Sequence, residues 1–272
     1  MKQPLNRFLF MVNDKNNNIR VALRFYGDLK TLLYPNHNQG KLKRTLPEPT
    51  SVKDLIESCG VPHTEADLII VNSKPVNFGH LIEGGERVSV YPFFHSFQNY
   101  SDDFLQPREL NQPRFLADVN LGKLARYLRL AGFDTSYSNN ADDTSLIEQM
   151  LQEKRILITR DRKLLMHKVV TLGYLPRSDN AQIQLKEVLS RFDLFDKIKP
   201  YSRCINCNGL LRNVQKEEIL DQLEPLTKKH YENFSKCGGC GQVYWAGSHR
   251  SRLPGSLKRL INIKKESESN DV

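Results

Sequence analysis

The first part of the chain combines strand-like and helix-like spacing of apolar residues. Residues 18–34 begin with apolar side chains at every second position, the period of a half-buried strand. Ser51 precedes apolar positions spaced three and four apart, which predicts a capped helix over 51–59. Further apolar runs predict strands at 68–72 and 87–93. Strands arranged around one helix, with room for a second strand before it, predict a small α+β domain.

The middle of the chain alternates short apolar strands with amphipathic helices. Residues 96–113 precede it, lack hydrophobic periodicity and contain two prolines, so we interpret them as a linker. We then expect strands at 115–117, 133–137 and 156–159 and within 168–175, and helices at 120–131, 142–154 and 179–192. Strands that alternate with helices predict a parallel sheet with right-handed crossovers.

Two cysteine pairs follow, each with two residues between its members: Cys204 and Cys207, then Cys237 and Cys240. Two such pairs supply the four thiolates of a tetrahedral, structural zinc site. The segment between them contains KEEILDQL, which we predict to be a helix and interpret as part of an insertion. A redox pair or free thiols is the alternative, but no strand–helix unit surrounds either pair.

The charge of the chain favours a nucleic-acid partner, and its hydropathy indicates no membrane-spanning segment. The net charge is +9, and a basic run without acids occupies residues 246–265. Such a run suits phosphate, although solubility alone would also explain it. No stretch approaches 18 apolar residues and no signal cleavage site is evident, so we expect no membrane span and no secretion. The five cysteines, an odd number, favour a reducing, cytoplasmic location.

Four aspartates follow strands or begin a helix of the predicted parallel sheet. Asp118 follows the strand at 115–117, Asp161 follows the strand at 156–159, and Asp142 and Asp143 open a helix. The carboxyl ends of parallel strands meet at one edge of a sheet, where active sites form. Converging carboxylates need a hard cation, so the pattern favours a catalytic Mg²⁺ or Mn²⁺ site. Each aspartate could instead cap a helix or accept a loop N–H.

Polar and basic side chains surround the same predicted edge. Asn120 could hold a metal-bound water. The cations that could contact a phosphate backbone are Arg126, Arg129, Arg160, Arg162 and Lys163. A solvated helix face is the alternative for Arg126 and Arg129. Near the cysteines, Tyr201, Tyr244 and Trp245 could stack RNA bases or pack a small core.

These motifs resemble a known family of nucleases. FLADVNLGKLARYLRLAGFDT, NADDTSLIEQ and RILITRDRKLL, followed by the two cysteine pairs, are similar to the PIN-superfamily RNases named after the carboxy-terminal domain of a mutator exonuclease, mutator-seven. The resemblance implies an α/β, PIN-like three-layer fold with a parallel sheet and helices on both faces, followed by a zinc ribbon. It implies a metal-dependent ribonuclease with Asp118, Asp143 and Asp161 as metal-binding carboxylates, and Asp142 as the close alternative to Asp143.

One departure from that family keeps a second interpretation open. Many PIN nucleases carry a further acid near the last aspartate, whereas Arg162 and Lys163 follow Asp161 here. The site could hold one metal firmly and the second only with substrate. A non-catalytic RNA- or ribosome-binding adaptor with a degenerate site is therefore the alternative.

The amino-terminal part resembles a ubiquitin-like, β-grasp module. SVKDLIESCGVPHTEADLIIVNSKPVNF and GERVSVYPF carry that resemblance, which implies docking to a protein partner. Sulfur-carrier proteins are also similar but end in a free Gly-Gly, whereas Gly84-Gly85 is internal here. The expected domains are 1–95 ubiquitin-like, 96–113 linker, 114–200 nuclease, 201–250 zinc ribbon and 251–272 basic to polar tail.

Overall fold

The computed structural model of the protein describes residues 19–34, 39–94 and 103–245. Its contacts divide the chain into two compact units, Met1–Val61 with Ala66–Leu105, and Pro62–Glu65 with Gln106–Val272. The predicted basic run and the tail lie outside the described residues, as does most of the amino-terminal half of the predicted linker. Among the described segments, no helix is both long and apolar enough to span a bilayer.

The first unit is built on a mixed five-stranded sheet. Its elements are β1 (Ile19–Phe25), β2 (Lys41–Leu46), β3 (Thr50–Ser51), α1 (Val52–Ser58), β4 (Leu68–Val71), β5 (Lys74–Val76), β6 (Leu81–Ile82) and β7 (Arg87–Tyr91). The main sheet has the order β2-β1-β7-β4-β5, with β1 parallel to β7 and antiparallel to β2. Strands β3 and β6 form a separate pair. This arrangement is a β-grasp-like fold, as the resemblance to the ubiquitin-like module implies, and it fits the small α+β domain predicted from the sequence pattern.

Helix α1 and strand β2 show what the hydrophobic pattern reveals and what it misses. The predicted helix is confirmed, and the hydroxyl oxygen of Ser51 accepts the N–H of Asp54 at 3.1 Å, so Ser51 is its cap. Strand β2 is not evident from the sequence because it is a polar edge strand in which only Leu42 is fully buried. An edge strand can expose most of its side chains, so its pattern resembles that of a loop.

The second unit begins with a four-stranded parallel sheet. Its elements are β8 (Arg114–Ala117), α2 (Gly122–Leu130), β9 (Asp134–Tyr137), α3 (Asp143–Glu153), β10 (Ile156–Ile158), α4 (Arg162–Leu165), β11 (Gly173–Tyr174) and α5 (Ala181–Arg191). The order is β11-β10-β8-β9, and all three strand pairs are parallel. The predicted parallel sheet is therefore confirmed. A 3-10 turn over Val119–Leu121 precedes α2.

The strand expected within 168–175 contracts to the two residues of β11. The chain turns just before it, because the N–H of Val170 bonds the carbonyl of His167 at 2.9 Å. At Gly173, a Cβ would stand 3.0 Å from the carbonyl oxygen of Leu157. Close approach of two backbones therefore explains the glycine at this position.

The core of the second unit lies between the sheet and helices α2 and α5. Phe115 is fully buried, and its ring centroid lies 6.0 Å from that of Phe133 and 5.9 Å from that of Phe192. Leu124 and Leu128 of α2 bury their side chains in the same cluster. Apolar positions at helical spacing thus anchor the helix that directly follows the end of β8.

The cysteine-bearing part of this unit is a three-stranded antiparallel sheet. Its elements are β12 (Leu211–Val214), α6 (Pro225–His230), β13 (Phe234–Cys237) and β14 (Val243–Trp245), in the order β12-β13-β14. The predicted insertion helix is a 3-10 helix over Lys216–Gln222. Ile219 packs there in a second small apolar cluster with Val214 and Phe234.

Candidate active site and metal centre

The carboxyl ends of β8 and β10 lie side by side, because Ala117 pairs in parallel with Ile158. Asp118 follows β8 directly and is 7% exposed. The fully buried Thr159 follows β10 and donates its hydroxyl hydrogen to Asp118 Oδ2 at 2.7 Å. The N–H of Asp161 in turn donates to Thr159 Oγ1 at 2.9 Å. One buried hydroxyl therefore joins two of the predicted site aspartates, a connection that the sequence analysis missed.

Both of these aspartates also cap the turns that follow them. The second carboxylate oxygen of Asp118 accepts the N–H of Val119. Asp161 Oδ1 accepts the N–H of Lys163 at 2.7 Å and that of Leu164 at 3.3 Å. Capping was the alternative role considered from the sequence, and the geometry shows it for both residues.

Asp142 and Asp143 differ in what they contact at the start of α3. Asp142 caps the helix, since its Oδ1 accepts the N–H of Ser145 at 2.8 Å. That hydrogen bond holds the pKa of Asp142 below its ordinary value. Asp143 is the first helical residue and is exposed, and its carboxylate makes no hydrogen bond or ion pair with the described residues. Asp143 is consequently the one of the two whose oxygens are uncommitted.

The four aspartates do not converge into one tight group. Among residues 19–34, 39–94 and 103–245, the group of three or more potential ligands with atoms within 4.8 Å of one another is a set of four cysteines. The expected gathering of carboxylates is therefore not found among the described residues, and the structure connects Asp118 only with the backbone N–H of Asp161, through Thr159.

The predicted phosphate-binding residues are distributed unevenly around this edge. Arg160 donates through Nη1 to the exposed carboxylate of Asp179, an acid beyond β11 that the sequence analysis did not single out. Arg126 and Asn120 are exposed and make no hydrogen bond or ion pair with the described residues. Arg162 is half-buried in α4. The sequence offers only a weak indication that Asp179 lies at this edge, because the residue comes five positions after a strand of only two residues.

Arg129 is placed in the interior instead, where its guanidinium bonds backbone carbonyls. It is 5% exposed. Its Nε donates to the carbonyl of Thr135 at 2.9 Å, and its Nη1 donates to those of Ile205 at 3.0 Å and Asn206 at 2.8 Å. Burial lowers the pKa of this guanidinium. The predicted contact of Arg129 with a phosphate backbone is thus replaced by a structural role.

Four cysteines form the metal-ligand group predicted from their spacing. Sγ of Cys204 lies 3.6 Å from Sγ of Cys240, and Sγ of Cys207 lies 3.3 Å from Sγ of Cys237. A tetrahedral zinc site with Zn–S bonds of about 2.3 Å has sulfurs about 3.8 Å apart. The donor set and its spacing therefore fit a metal ion such as zinc. We refer to these four residues as the cysteine cluster.

Backbone and hydroxyl groups lie within hydrogen-bonding distance of two sulfurs of the cysteine cluster, those of Cys204 and Cys237. The N–H groups of Gly239 and Cys240 point at Cys237 Sγ, at 3.3 and 3.5 Å. Burial raises the pKa of Cys204, but the hydroxyl of Tyr244, 2.9 Å from its sulfur, and nearby backbone N–H groups outweigh burial and bring the pKa to about 7. A Cβ at Gly209 would lie 2.9 Å from Cys237 Sγ, so only glycine fits there.

The first cysteine turn is tied directly to the parallel sheet. The side chain of Asn208 accepts the N–H of Thr135 at 3.0 Å and donates to Asp134 Oδ1 at 2.9 Å. Asp134 also accepts Arg155 Nη1 at 2.6 Å. Cys204 and Cys237 belong to the same apolar cluster as the core of that sheet. The two parts of the second unit therefore share one interior.

The fold and the site together define an α/β protein with a β-grasp-like unit, a parallel sheet bearing aspartates at its carboxyl edge, and a four-cysteine cluster that could bind metal. Residues 113–257, just over half of the chain, match the Mut7-C RNAse domain model. Residues 18–98 match the Mut7-C ubiquitin model. The chain therefore belongs to the Mut7-C RNAse domain family and carries the associated ubiquitin-like domain.

Comparisons with individual proteins add little to this assignment. A search of curated proteins gave no match. A putative molybdopterin converting factor, subunit 1, from Pyrococcus furiosus is 21% identical, with 28% of this chain and 99% of that chain covered and a TM-score of 0.23. Small archaeal modifier protein 1 from H. volcanii is 11% identical, with the same 28% and 99% coverage and a TM-score of 0.24. Both likenesses are too distant to bear on function.

Proposed function

We propose that this protein is a metal-dependent ribonuclease that hydrolyses RNA phosphodiester bonds at the carboxyl edge of its parallel sheet. Membership of an RNase domain family supports the reaction class. The observation that carries the choice of site is the hydrogen-bonded connection from Asp118 through Thr159 to Asp161. It holds a carboxylate oxygen of Asp118 and the backbone of Asp161 at the ends of two adjacent parallel strands, where such sheets place their ligands.

The third carboxylate in this proposal is Asp143. Asp142 already caps α3, whereas Asp143 has no partner among the described residues and stands at the helix terminus. A Mg²⁺ or Mn²⁺ ion bound by Asp118, Asp143 and Asp161 would supply an activated water and stabilise the developing negative charge. The distances among the aspartates mean that the ion would have to draw Asp143 inward, which suits an exposed side chain.

RNA would lie over the same edge. Asn120 and Arg126 are exposed and make no hydrogen bond or ion pair with the described residues, so both suit phosphate or metal-bound water. Arg160 is paired with Asp179 and would have to leave that exposed ion pair, which costs little in water. Arg162 completes the basic set, whereas Arg129 is left out because it is internal.

The alternative is a non-catalytic RNA-binding adaptor. The observation in its favour is that Asp118, Asp142 and Asp161 all cap helical turns and do not form one tight group. On this view the edge is a structural junction, and RNA binding would not need a divalent ion. The two candidates therefore differ in metal dependence.

The test is cleavage of end-labelled single-stranded and structured RNAs by the purified chain with Mn²⁺ or Mg²⁺. Asp118→Asn keeps the shape of the side chain and should reduce cleavage at least a hundredfold while RNA binding persists. Asp143→Asn should also impair cleavage, and Asp142→Asn should impair it less. Asp221→Asn, an exposed acid in the insertion, is the matched control. Intact RNA under every metal condition would favour the adaptor.

We further propose that the cysteine cluster holds a structural zinc ion in a zinc ribbon. Support comes from four mutually close sulfurs and from N–H groups directed at Cys237. Four protein ligands close the coordination shell, so this ion would take no part in hydrolysis. For the ubiquitin-like domain we propose docking to a protein partner, and for the protein a cytoplasmic location, which suits reduced thiols. Elemental analysis and pull-down with the isolated chain test these proposals.

A further inference from the structure

A cavity of about 560 Å³ opens on the three-stranded sheet beside the cysteine cluster. Ligand pockets in proteins span about 300 to 1,000 Å³, so the cavity is large enough for a nucleoside-sized group. The residues that border it include Tyr201, Leu211, Asn213, Ser235, Tyr244 and Trp245. The cavity is unrelated to the aspartates, because it contains none of them.

The strand register sets polar and aromatic groups on one face of this sheet. Asn213 of β12 pairs with Ser235 of β13, and Ser235 pairs with Tyr244 of β14. Side chains paired across adjacent strands lie on the same face. An amide, a hydroxyl and a phenol therefore form a row along the cavity wall, with Tyr201 also in the wall.

Tyr201 gives the cavity a half-buried ring suited to a flat ligand, whereas Tyr244 is only 4% exposed. The backbone positions Tyr201 at the carboxyl end of α2, because its N–H bonds the carbonyl of Leu130 at 3.3 Å. Tyr244 is held by its hydroxyl, which lies 2.9 Å from Cys204 Sγ. Aromatic rings stack on any base, so such surfaces bind single-stranded nucleic acid with little sequence preference.

The polar groups offer hydrogen bonds to a base edge. Asn213 Oδ1 accepts the hydroxyl hydrogen of Ser235 at 3.2 Å, which fixes the orientation of the amide. The amide nitrogen then has no acceptor among the described residues and can donate to a base carbonyl or ring nitrogen. The one carboxylate in the wall, Glu232, is paired with Lys216 Nζ at 2.7 Å, which limits its repulsion of phosphate.

Helix α2 separates this cavity from the candidate catalytic edge. Asp118 precedes the helix, whereas Tyr201 is bonded to its last residue, Leu130. A helix of nine residues is about 14 Å long at about 1.5 Å per residue. A base in the cavity would therefore belong to a nucleotide some distance along the strand from the bond that is cut.

We propose that the cavity binds one base of a single-stranded RNA substrate and so anchors the strand away from the scissile bond. The identity of the ligand rests on the proposed ribonuclease function. The ring of Tyr201 and the amide donor of Asn213 favour a base over a bare phosphate.

Trp245 makes the proposal directly measurable, because it is the single tryptophan of the chain and follows Tyr244 at the border of the cavity. Titration of the full chain with single-stranded oligouridylate and oligoadenylate, without added Mg²⁺ or Mn²⁺, should quench its fluorescence saturably. A fully paired RNA duplex should not. Tyr201→Ala and Asn213→Ala should each raise the half-saturating concentration about fivefold or more. Leu210→Ala is the matched control, since Leu210 is 65% exposed and lies outside the cavity wall.

The outcomes separate this inference from the function on which it rests. Quenching that both variants weaken, without cleavage under any metal condition, would support the cavity and refute the ribonuclease. Cleavage without quenching, or with variants that bind like Leu210→Ala, would overturn the cavity as a base site. Thermal unfolding of each variant, followed by circular dichroism, identifies any that fail to fold, and Asn213→Leu then provides a second test because it removes the amide donor with little change in size and no change in charge.

Discussion

Replacement of Arg129 by methionine tests whether this residue serves the fold or the substrate. Its guanidinium joins α2 to the start of β9 and to the first cysteine turn through three backbone carbonyls. Arg126 stands three residues earlier on the same helix, is exposed, and bonds none of the described residues. The same substitution at both positions therefore removes equal charge and similar volume from an internal and an external site.

The expected loss at Arg129 follows from the carbonyls left behind. Those of Thr135 and Ile205 belong to buried residues, whereas Asn206 is exposed and its carbonyl can bond water. A buried acceptor without a partner costs about 1 to 3 kcal/mol. Two such acceptors, offset in part by relief of the buried charge, give a net loss of about 3 kcal/mol. Arg126→Met should change the free energy of unfolding by less than about 0.5 kcal/mol.

Denaturant and thermal unfolding, followed by tryptophan fluorescence, provide the assay. Trp245 is the single tryptophan and lies in the second unit, so the signal reports the unit that contains both arginines. In a unit of this size, about 3 kcal/mol lowers the melting temperature by roughly 6 to 12 °C. RNA affinity at low salt should fall for Arg126→Met, because phosphate contacts are electrostatic.

The reasoning fails if the two variants unfold within about 0.5 kcal/mol of each other. It also fails if Arg129→Met binds RNA more weakly than Arg126→Met while unfolding like the wild type. Either result would mean that the guanidinium of Arg129 faces solvent and contacts the phosphate backbone of RNA, as predicted from the sequence.

Three other perturbations address the site, the sheet and the metal. Thr159→Val removes the hydroxyl that bonds Asp118 and should cost about 1 to 3 kcal/mol and slow cleavage, whereas Thr159→Ser should retain both, as measured by unfolding and RNA hydrolysis. Burial opposes ionisation of Asp134, but hydrogen bonds from Arg155 and a neighbouring amide outweigh it and lower its pKa. The stabilisation of the fold by ionised Asp134 is therefore complete above about pH 4 and is lost as the pH falls toward the lower pKa of the folded state. The difference in unfolding free energy between wild type and Asp134→Asn should shrink over that acidic range. Cys237→Ser should lower the bound zinc below one per chain and reduce the unfolding midpoint, as measured by elemental analysis and denaturation.

Each of these has an outcome that contradicts it. Cleavage by Thr159→Val at the wild-type rate would show that the hydroxyl does not position Asp118. A stability difference at Asp134 that grows on acidification would reverse the sign of the inferred pKa shift. If the wild type contains no zinc and a chelator leaves its unfolding midpoint unchanged, the fold does not depend on a bound metal.

The sequence predicted those parts of the fold that depend on local spacing. Apolar side chains at strand or helix periods located β8, α2 and α3, and the cysteine spacing located the ligand group, because nearby positions in the chain decide both. The polar edge strand β2 and the two-residue strand β11 escaped because neither has enough buried side chains to produce a pattern.

The roles of single polar residues depended on distant parts of the chain. Arg129 and Arg126 look alike in sequence, and only the packing of the first cysteine turn against β9 distinguishes them. A local hint existed, since Ala125 lies four residues before Arg129 on the buried side of the helix, where a small side chain leaves space for a long one. Thr159 was overlooked because a hydroxyl at the end of an apolar strand has no spacing signal of its own.

The shared interior of the parallel sheet and the cysteine cluster determines where the chain can be cut for study. A fragment ending near residue 200 would lack the carbonyls of Ile205 and Asn206 and the amide of Asn208. It would also expose apolar side chains that Cys204 and Tyr244 cover in the intact protein. Expression boundaries for this protein should therefore extend at least through Trp245, and a soluble fragment that stops earlier would represent the native fold poorly.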